Sequence, residues 1–163
     1  DVMGWFATGG DYTTVAPGRL LDTRPSGSTV DAQQQGGGTL GAGETRLLPI
    51  AGRGGVPATG VAAVAVNITA VSPSATSFVT AFPAGTTRPN ASNLNLAAGR
   101  TLPNMALVPL GANGAIELFN SAGTTHLLVD VVGWFPPDPA PSTTLLSKRV
   151  DDLPRVGFFT GLD

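Results

Sequence analysis

The sequence predicts an all-β protein, a sandwich of about eight to ten short and mostly antiparallel strands. A jelly roll, an immunoglobulin-like variant and a flattened barrel all satisfy the pattern. Three observations lead there. The 163 residues include 22 glycines and 14 prolines, which interrupt almost every window long enough for three helical turns. Short runs of Val, Ile, Thr, Phe and Leu recur between Gly, Pro and Asn punctuation. Within the longest runs the apolar residues alternate with period two, the repeat of a strand with one buried face.

The runs, in order, are Glu44 to Ile50, Gly60 to Val71, Thr76 to Phe82, Ala91 to Leu96, Met105 to Leu110, Ala115 to Asn120 and Thr124 to Phe135. In the second, alternation sets Val64, Val66 and Ile68 against Ala63, Ala65, Asn67 and Thr69, so the first group faces a core. In the last, the same rule groups Leu127, Val129, Val131 and Phe135 as core. It leaves His126, Leu128, Asp130, Val132 and Trp134 on a mixed face. Between two apolar runs, Gly111-Ala-Asn113-Gly114 supplies the Asn-Gly pair of a type I′ turn, predicting a hairpin. The stretch from Asp31 to Gly43, with its Gln33-Gln-Gln35 and Gly36-Gly-Gly38 runs, has no apolar period and reads as a mobile surface loop.

Composition excludes several function classes. There is no cysteine, so thiol chemistry and cysteine zinc sites are out. The formal net charge is −2, with one lysine, Lys148, among nine cations. No basic stripe exists for a phosphate backbone, and nucleic acid is not an expected partner. The longest aliphatic stretch, Val61 to Val66, is far short of the roughly 18 residues that cross a bilayer, so no membrane span is expected. No charged start precedes an apolar segment, which places any secretion signal outside this sequence.

The first six residues, Asp1-Val-Met-Gly-Trp-Phe6, recur as Asp130-Val-Val-Gly-Trp-Phe135, five of six identical, at an offset of 129 residues. So long a period is a whole domain rather than a solenoid unit. Residues 1–6 are then the final strand of a preceding repeat, or alternatively an edge-closing strand of the same domain. Residues 7–135 form a single all-β module. Residues 136–142, rich in proline, read as a semi-rigid linker. Residues 143–163 are a tail or the start of a next repeat, because Val156-Gly-Phe-Phe159 echoes Met3-Gly-Trp-Phe6.

A family resemblance rests on several ordered strings. These are Arg19-Leu-Leu-Asp-Thr-Arg24; Gly55-Val-Pro-Ala-Thr-Gly-Val61 leading into Val64-Ala-Val-Asn-Ile-Thr-Ala70; and Phe82-Pro-Ala-Gly85 with Arg88-Pro89. They continue with Ser92-Asn-Leu-Asn95, Pro103-Asn104 and His126-Leu-Leu-Val-Asp-Val-Val-Gly-Trp-Phe135. From Arg19 to Phe135 the chain resembles a tandem β module of secreted, cell-surface and cell-wall-associated proteins of actinobacterial type. The resemblance implies a secreted, extracellular or cell-surface location. It implies a module appended to wall hydrolases, esterases or peptidases, with no catalytic residues of its own. The segment from Asp31 to Gly43 departs from the pattern as a variable insertion.

Chemistry-bearing residues are few. A nucleophilic triad needs a base beside an activated serine, but His126 is the sole histidine and no serine lies in a Gly-x-Ser-x-Gly turn. Gly36-Gly-Gly38-Thr-Leu-Gly41 fits Gly-x-Gly-x-x-Gly, yet a strand-like run comes after it where a dinucleotide site needs a helix. Asp22, Glu44, Glu117 and Asp130 are too scattered to nominate a glycosidase pair. Asp22 and Asp130 as Ca²⁺ ligands lack a dense Asp/Asn/Gly loop. No catalytic residue, cofactor or metal is therefore expected.

Asp130, with apolar neighbours on both sides, needs a cationic partner; Arg24 is the first choice and Arg19 the second. Asp22 and Arg24, two apart on a strand, would share a face. Trp5 and Trp134 occupy equivalent places and serve either inter-module packing or stacking on a sugar ring. Asn67-Ile-Thr69 and Asn90-Ala-Ser92 fit the N-glycosylation pattern. Leu153-Pro-Arg-Val-Gly157 is similar to a wall-sorting signal but lacks its threonine. The expected function is a non-catalytic structural or adhesive module of a tandem-repeat surface protein or fibre, its partners being neighbouring copies. The alternative is a carbohydrate-binding accessory domain of a secreted enzyme, with cell-wall polysaccharide as partner.

Overall fold

The computed structural model describes residues 12–137. Among the described residues there are eight strands: β1 (Thr13–Asp22), β2 (Thr45–Pro49), β3 (Ala63–Val71), β4 (Ser77–Pro83), β5 (Leu94–Leu96), β6 (Leu102–Pro109), β7 (Ala115–Asn120) and β8 (His126–Phe135). They form two separate four-stranded sheets, ordered β1-β8-β3-β6 and β2-β7-β4-β5, with every pairing between named strands antiparallel. The fold is a β-sandwich; the sheets do not close into a barrel. The repeat at residues 1–6, the tail at 143–163 and all of the linker beyond Pro137 lie outside the described residues.

The core lies between the sheets. Val64, Val66 and Ile68 of β3 are fully buried against Val79, Ile116 and Leu118 of the second sheet and Leu127, Val129 and Val131 of β8. Each such side chain contributes roughly 1.5–3 kcal/mol of transfer free energy. The alternation in β3 is regular. In β8 it breaks near its end, because Ala65 pairs with Gly133 while Val66 pairs with Val131, leaving Val132 as an extra residue. This β-bulge reverses the inward-outward phase of the last residues of the strand. Trp134 therefore sits opposite core-facing Val64 and packs against the core, whereas Phe135 pairs with Ala63 on the outer side. The sequence expectation for these two residues is inverted by that one insertion. The Phe135 ring instead meets Tyr12, with centroids 4.9 Å apart. Tyr12 also occupies the space that a Cβ on Gly133 would fill, which explains the glycine.

β1 did not stand out in the sequence because Pro17 and Gly18 interrupt it. The pairing with β8 skips from Thr14 to Gly18 and again from Arg19 to Leu21. These two irregularities let both Leu20 and Leu21 be buried. Arg24 lies beyond the end of the strand, so it is not a same-face neighbour of Asp22 along an extended chain.

The Asp31 to Gly43 segment is held in place rather than loose. Leu40 is fully buried and exchanges backbone hydrogen bonds with Thr125. Gly36 and Gly38 donate to the carbonyls of Asp22 and Thr23. The Asn113-Gly114 turn forms with positive φ at both residues and the Ala115 N–H donating to the Ala112 carbonyl. It is not a hairpin turn: β6 pairs with β3, and β7 with β2 and β4, so the turn carries the chain from one sheet to the other.

Registers place the start of β1, the end of β8, the start of β3 and the end of β6 at one pole. At the opposite pole, Asn120 is fully buried. Its Nδ2 lies 3.1 Å from each of the carbonyls of Leu40, Gly41, Ala122 and Gly123, and its Oδ1 accepts the Ser77 hydroxyl at 2.8 Å. One amide thus ties two loops to the end of β7. Removing it strands buried carbonyls, so Asn120→Ala is expected to lower unfolding free energy by roughly 2–4 kcal/mol in urea titrations. A loss below about 0.5 kcal/mol, the range of ordinary surface changes, contradicts the assignment.

Candidate functional site

The ionisable side chains of the first sheet gather on its outer face, where β1 adjoins β8. Arg19 and Asp130 are direct register partners. The Arg19 Nε donates to Asp130 Oδ1 at 2.8 Å and Nη2 to Oδ2 at 3.1 Å, a two-point fork. Arg19, not Arg24, is therefore the partner of Asp130, because the antiparallel register places it directly across the pair of strands. Arg24 turns back on Asp22 instead. Its Nε and Nη2 donate to the two carboxylate oxygens at 2.9 and 2.7 Å, and its backbone N–H reaches Oδ1 at 3.2 Å. A longer contact of 3.4 Å from Arg19 Nη1 to Asp22 Oδ2 joins the two pairs. The result is a row Arg24, Asp22, Arg19, Asp130.

Burial grades this row. Asp22 is 1% exposed, while the side chains of Arg19, Arg24 and Asp130 are 34%, 40% and 23% exposed. Hydrogen bonding from Arg24 holds the Asp22 carboxyl below its ordinary pKa against the opposing effect of burial. All four carboxylate oxygens of Asp22 and Asp130 thus take guanidinium donors, leaving the pair engaged where a Ca²⁺ site would need it open. Among the described residues no group of three or more His, Cys, Asp or Glu is arranged to hold a metal ion.

His126 opens β8 beside this row. Its Nδ1 lies 3.0 Å from the hydroxyl oxygen of fully buried Thr23, which also accepts the Leu127 N–H at 3.0 Å. The imidazole closes the end of a strand, and no acidic side chain among the described residues pairs with it. Glu44 accepts the Gly41 N–H at 2.7 Å, and Glu117 accepts the Gly85 N–H at 3.3 Å on the other sheet. Trp134 is half-buried and packs against the core; Trp5 lies outside the described residues. Asn67 is half-buried in the inner strand β3, whereas Asn90 and Ser92 are exposed. The latter two line an open depression of about 360 Å³ beside Phe78, and Arg88 stacks 4.1 Å over the neighbouring Phe119 ring.

Sequence reasoning missed the most deeply buried arginine among the described residues. Arg53, 7% exposed, donates from Nε to Asp31 Oδ2 at 2.7 Å and from Nη2 to Oδ1 at 3.0 Å. It also donates to the carbonyls of Pro49 at 2.7 Å and Leu20 at 2.9 Å. The available signal was an arginine flanked by Gly52, Gly54 and Gly55 between two buried residues, Ile50 and Val56.

Asp22 is buried and accepts the Arg24 fork, the Arg24 N–H and a contact from Arg19, whereas Asp130 takes Arg19 alone and is more exposed. Asp22→Ala should therefore cost about 1.5–3 kcal/mol and Asp130→Ala about 1 kcal/mol or less in chemical denaturation; the reverse order contradicts the network. Hydrogen bonding from Arg53 lowers the Asp31 pKa from its ordinary 3.8 to about 2. The folded state thus binds its proton less readily than the unfolded state. The associated stability, about 2 kcal/mol, is fully present above the unfolded value and is lost as pH falls from about 4 through 2. Asp31→Asn should remove that portion of the acid dependence; an unchanged pH profile of the thermal midpoint contradicts it.

No family model matches this chain, and no curated protein is significantly similar to it.

Proposed function

We propose that the chain is a non-catalytic structural or adhesive module, secreted or displayed at a cell surface, that makes its contacts with neighbouring copies. The observation that carries this reading is the position of the two ends of the sandwich. Thr13 pairs with Trp134, and the Tyr12 ring packs on Phe135. The chain therefore enters and leaves at one pole, on adjacent strands. A module attached in this way stands out sideways from the chain that carries it. Its flanks and far pole are then free for lateral contacts.

The internal use of charge supports the same reading. Asp22, Asp31 and Asp130 are held by arginines, and His126 by Thr23. Acid-base or nucleophilic work needs such groups poised toward a substrate; here they are committed to the fold. The likeness of the Arg19 to Phe135 strings to secreted tandem modules supports the location, and the duplicated Asp-Val-x-Gly-Trp-Phe string supports repetition along a longer chain.

The test is co-sedimentation of the full chain with purified insoluble peptidoglycan, paired with light scattering at rising protein concentration. The module reading expects the protein to stay in the supernatant while its average mass rises with concentration. Saturable retention on the glycan by a protein of constant monomer mass would overturn it in favour of a carbohydrate-binding accessory domain.

A further inference from the structure

We infer that the edge of β6, which no other strand among the described residues covers, is a pairing surface for a second copy of this chain, which gives the lateral contact of the proposed function a location and rests on that reading. A sheet edge presents unpaired backbone donors and acceptors, and proteins normally guard it with charge, bulges, brevity or a covering loop. Three of the four edges here are guarded. β5 has only three residues. β1 is irregular, and its Arg19 carbonyl and Asp22 N–H are bonded to Val30 and Gln34. β2 carries Arg46 and ends at Pro49, whose carbonyl Arg53 takes.

β6, Leu102-Pro-Asn-Met-Ala-Leu-Val-Pro109, has no charged residue, and its named strand partner is β3 on one side only. The phase of its ladder is fixed by the Leu110 N–H donating to the Ala62 carbonyl at 2.8 Å, next to the Ala63–Pro109 pair. Hydrogen-bonded and non-hydrogen-bonded pairs alternate in an antiparallel ladder. Even-numbered residues of β6 therefore bond to β3, and Pro103, Met105, Leu107 and Pro109 direct their backbone groups outward. Both prolines fall where an N–H would have been unpaired, the position that tolerates them on an edge strand. Only Met105 and Leu107 offer donors between them.

The strand is self-complementary. With a two-fold axis through Ala106, Met105 lies opposite Leu107 of the second copy, and each such pair exchanges two N–H···O bonds. Pro103 then faces Pro109 of the second copy, where the ladder ends without a wasted donor. The side chains agree with the backbone. Met105 and Leu107 are 59% and 60% exposed on the outer face, beside the shorter Asn67 and Ala65 of β3. Pairing aligns four of them into one apolar row across the junction. Such a contact is isologous and closes as a dimer rather than propagating as a fibre.

Sedimentation velocity on the full chain, up to about 1 mM, tests this. The native chain should show a monomer–dimer equilibrium, weakened at least about tenfold by Leu107→Lys with an unchanged circular dichroism spectrum. The sequence contains no cysteine, so a Met105→Cys/Leu107→Cys chain carries the only thiols and should form a covalent dimer on mild oxidation. If the native chain associates but Leu107→Lys associates equally well and the double-cysteine chain stays monomeric, this edge is wrong while the module reading stands. A native chain that remains monomeric throughout overturns both.

Discussion

The structure depends on a buried guanidinium. Two stacked sheets leave open sides, and along the side formed by β1 and β2 the closure is Arg53. It donates to the carbonyl of Leu20 in one sheet, the carbonyl of Pro49 in the other, and both oxygens of Asp31. A cation this deeply buried is tolerated only when its donors are satisfied and its charge is matched. That requirement reaches outward along the chain. Asp31 must be presented at a fixed place, which fixes the start of the glycine- and glutamine-rich segment. The rest of that segment is secured by Leu40, by the Asp22 and Thr23 carbonyls, and by Arg46 donating to Gly37 and Gly38. On the opposite side, Asn104 Nδ2 donates to the Asn93 carbonyl at 2.6 Å, a lighter fastening next to the edge proposed for self-pairing.

What could be read from the sequence divides along a physical line. Strands whose identity rests on local alternation, such as β3 and β7, appear where the pattern puts them. The run Ala115 to Asn120 matches β7 at both ends. Features set by non-local register were hidden. The bulge at Val132 exchanges the faces of Trp134 and Phe135, and no local periodicity announces an inserted residue. β1 was obscured because proline and glycine sit at its irregularities, where the local rule reads them as breakers. The Asn113-Gly114 turn was correct in chemistry and wrong in consequence, since turn residues specify a reversal of direction and not the sheet in which the next strand pairs. The choice between Arg19 and Arg24 for Asp130 was likewise a question of register. The Arg53–Asp31 pair is separated by the unperiodic segment up to Gly43 and by all of β2, so neither composition nor spacing pointed to it.

The same economy bears on function. The side chains that carry acid-base chemistry elsewhere are used here to fasten loops and strand ends. Among the described residues, Met105 and Leu107 are the large apolar side chains most exposed on β6, a strand without charge. The adjacency of Tyr12 and Phe135 puts the first and last described residues on neighbouring strands at one pole of the sandwich.

The Arg53 clamp is the most direct point of attack on this account. A double-mutant cycle of Arg53→Met, Asp31→Leu and the combined variant, each carried through equilibrium denaturation, isolates the coupling between the two residues. The account predicts that each single change costs about 3 kcal/mol or more, while the double change costs less than the two together by about 2 kcal/mol, because neither charge is then left alone. Additive costs within about 0.5 kcal/mol would contradict it.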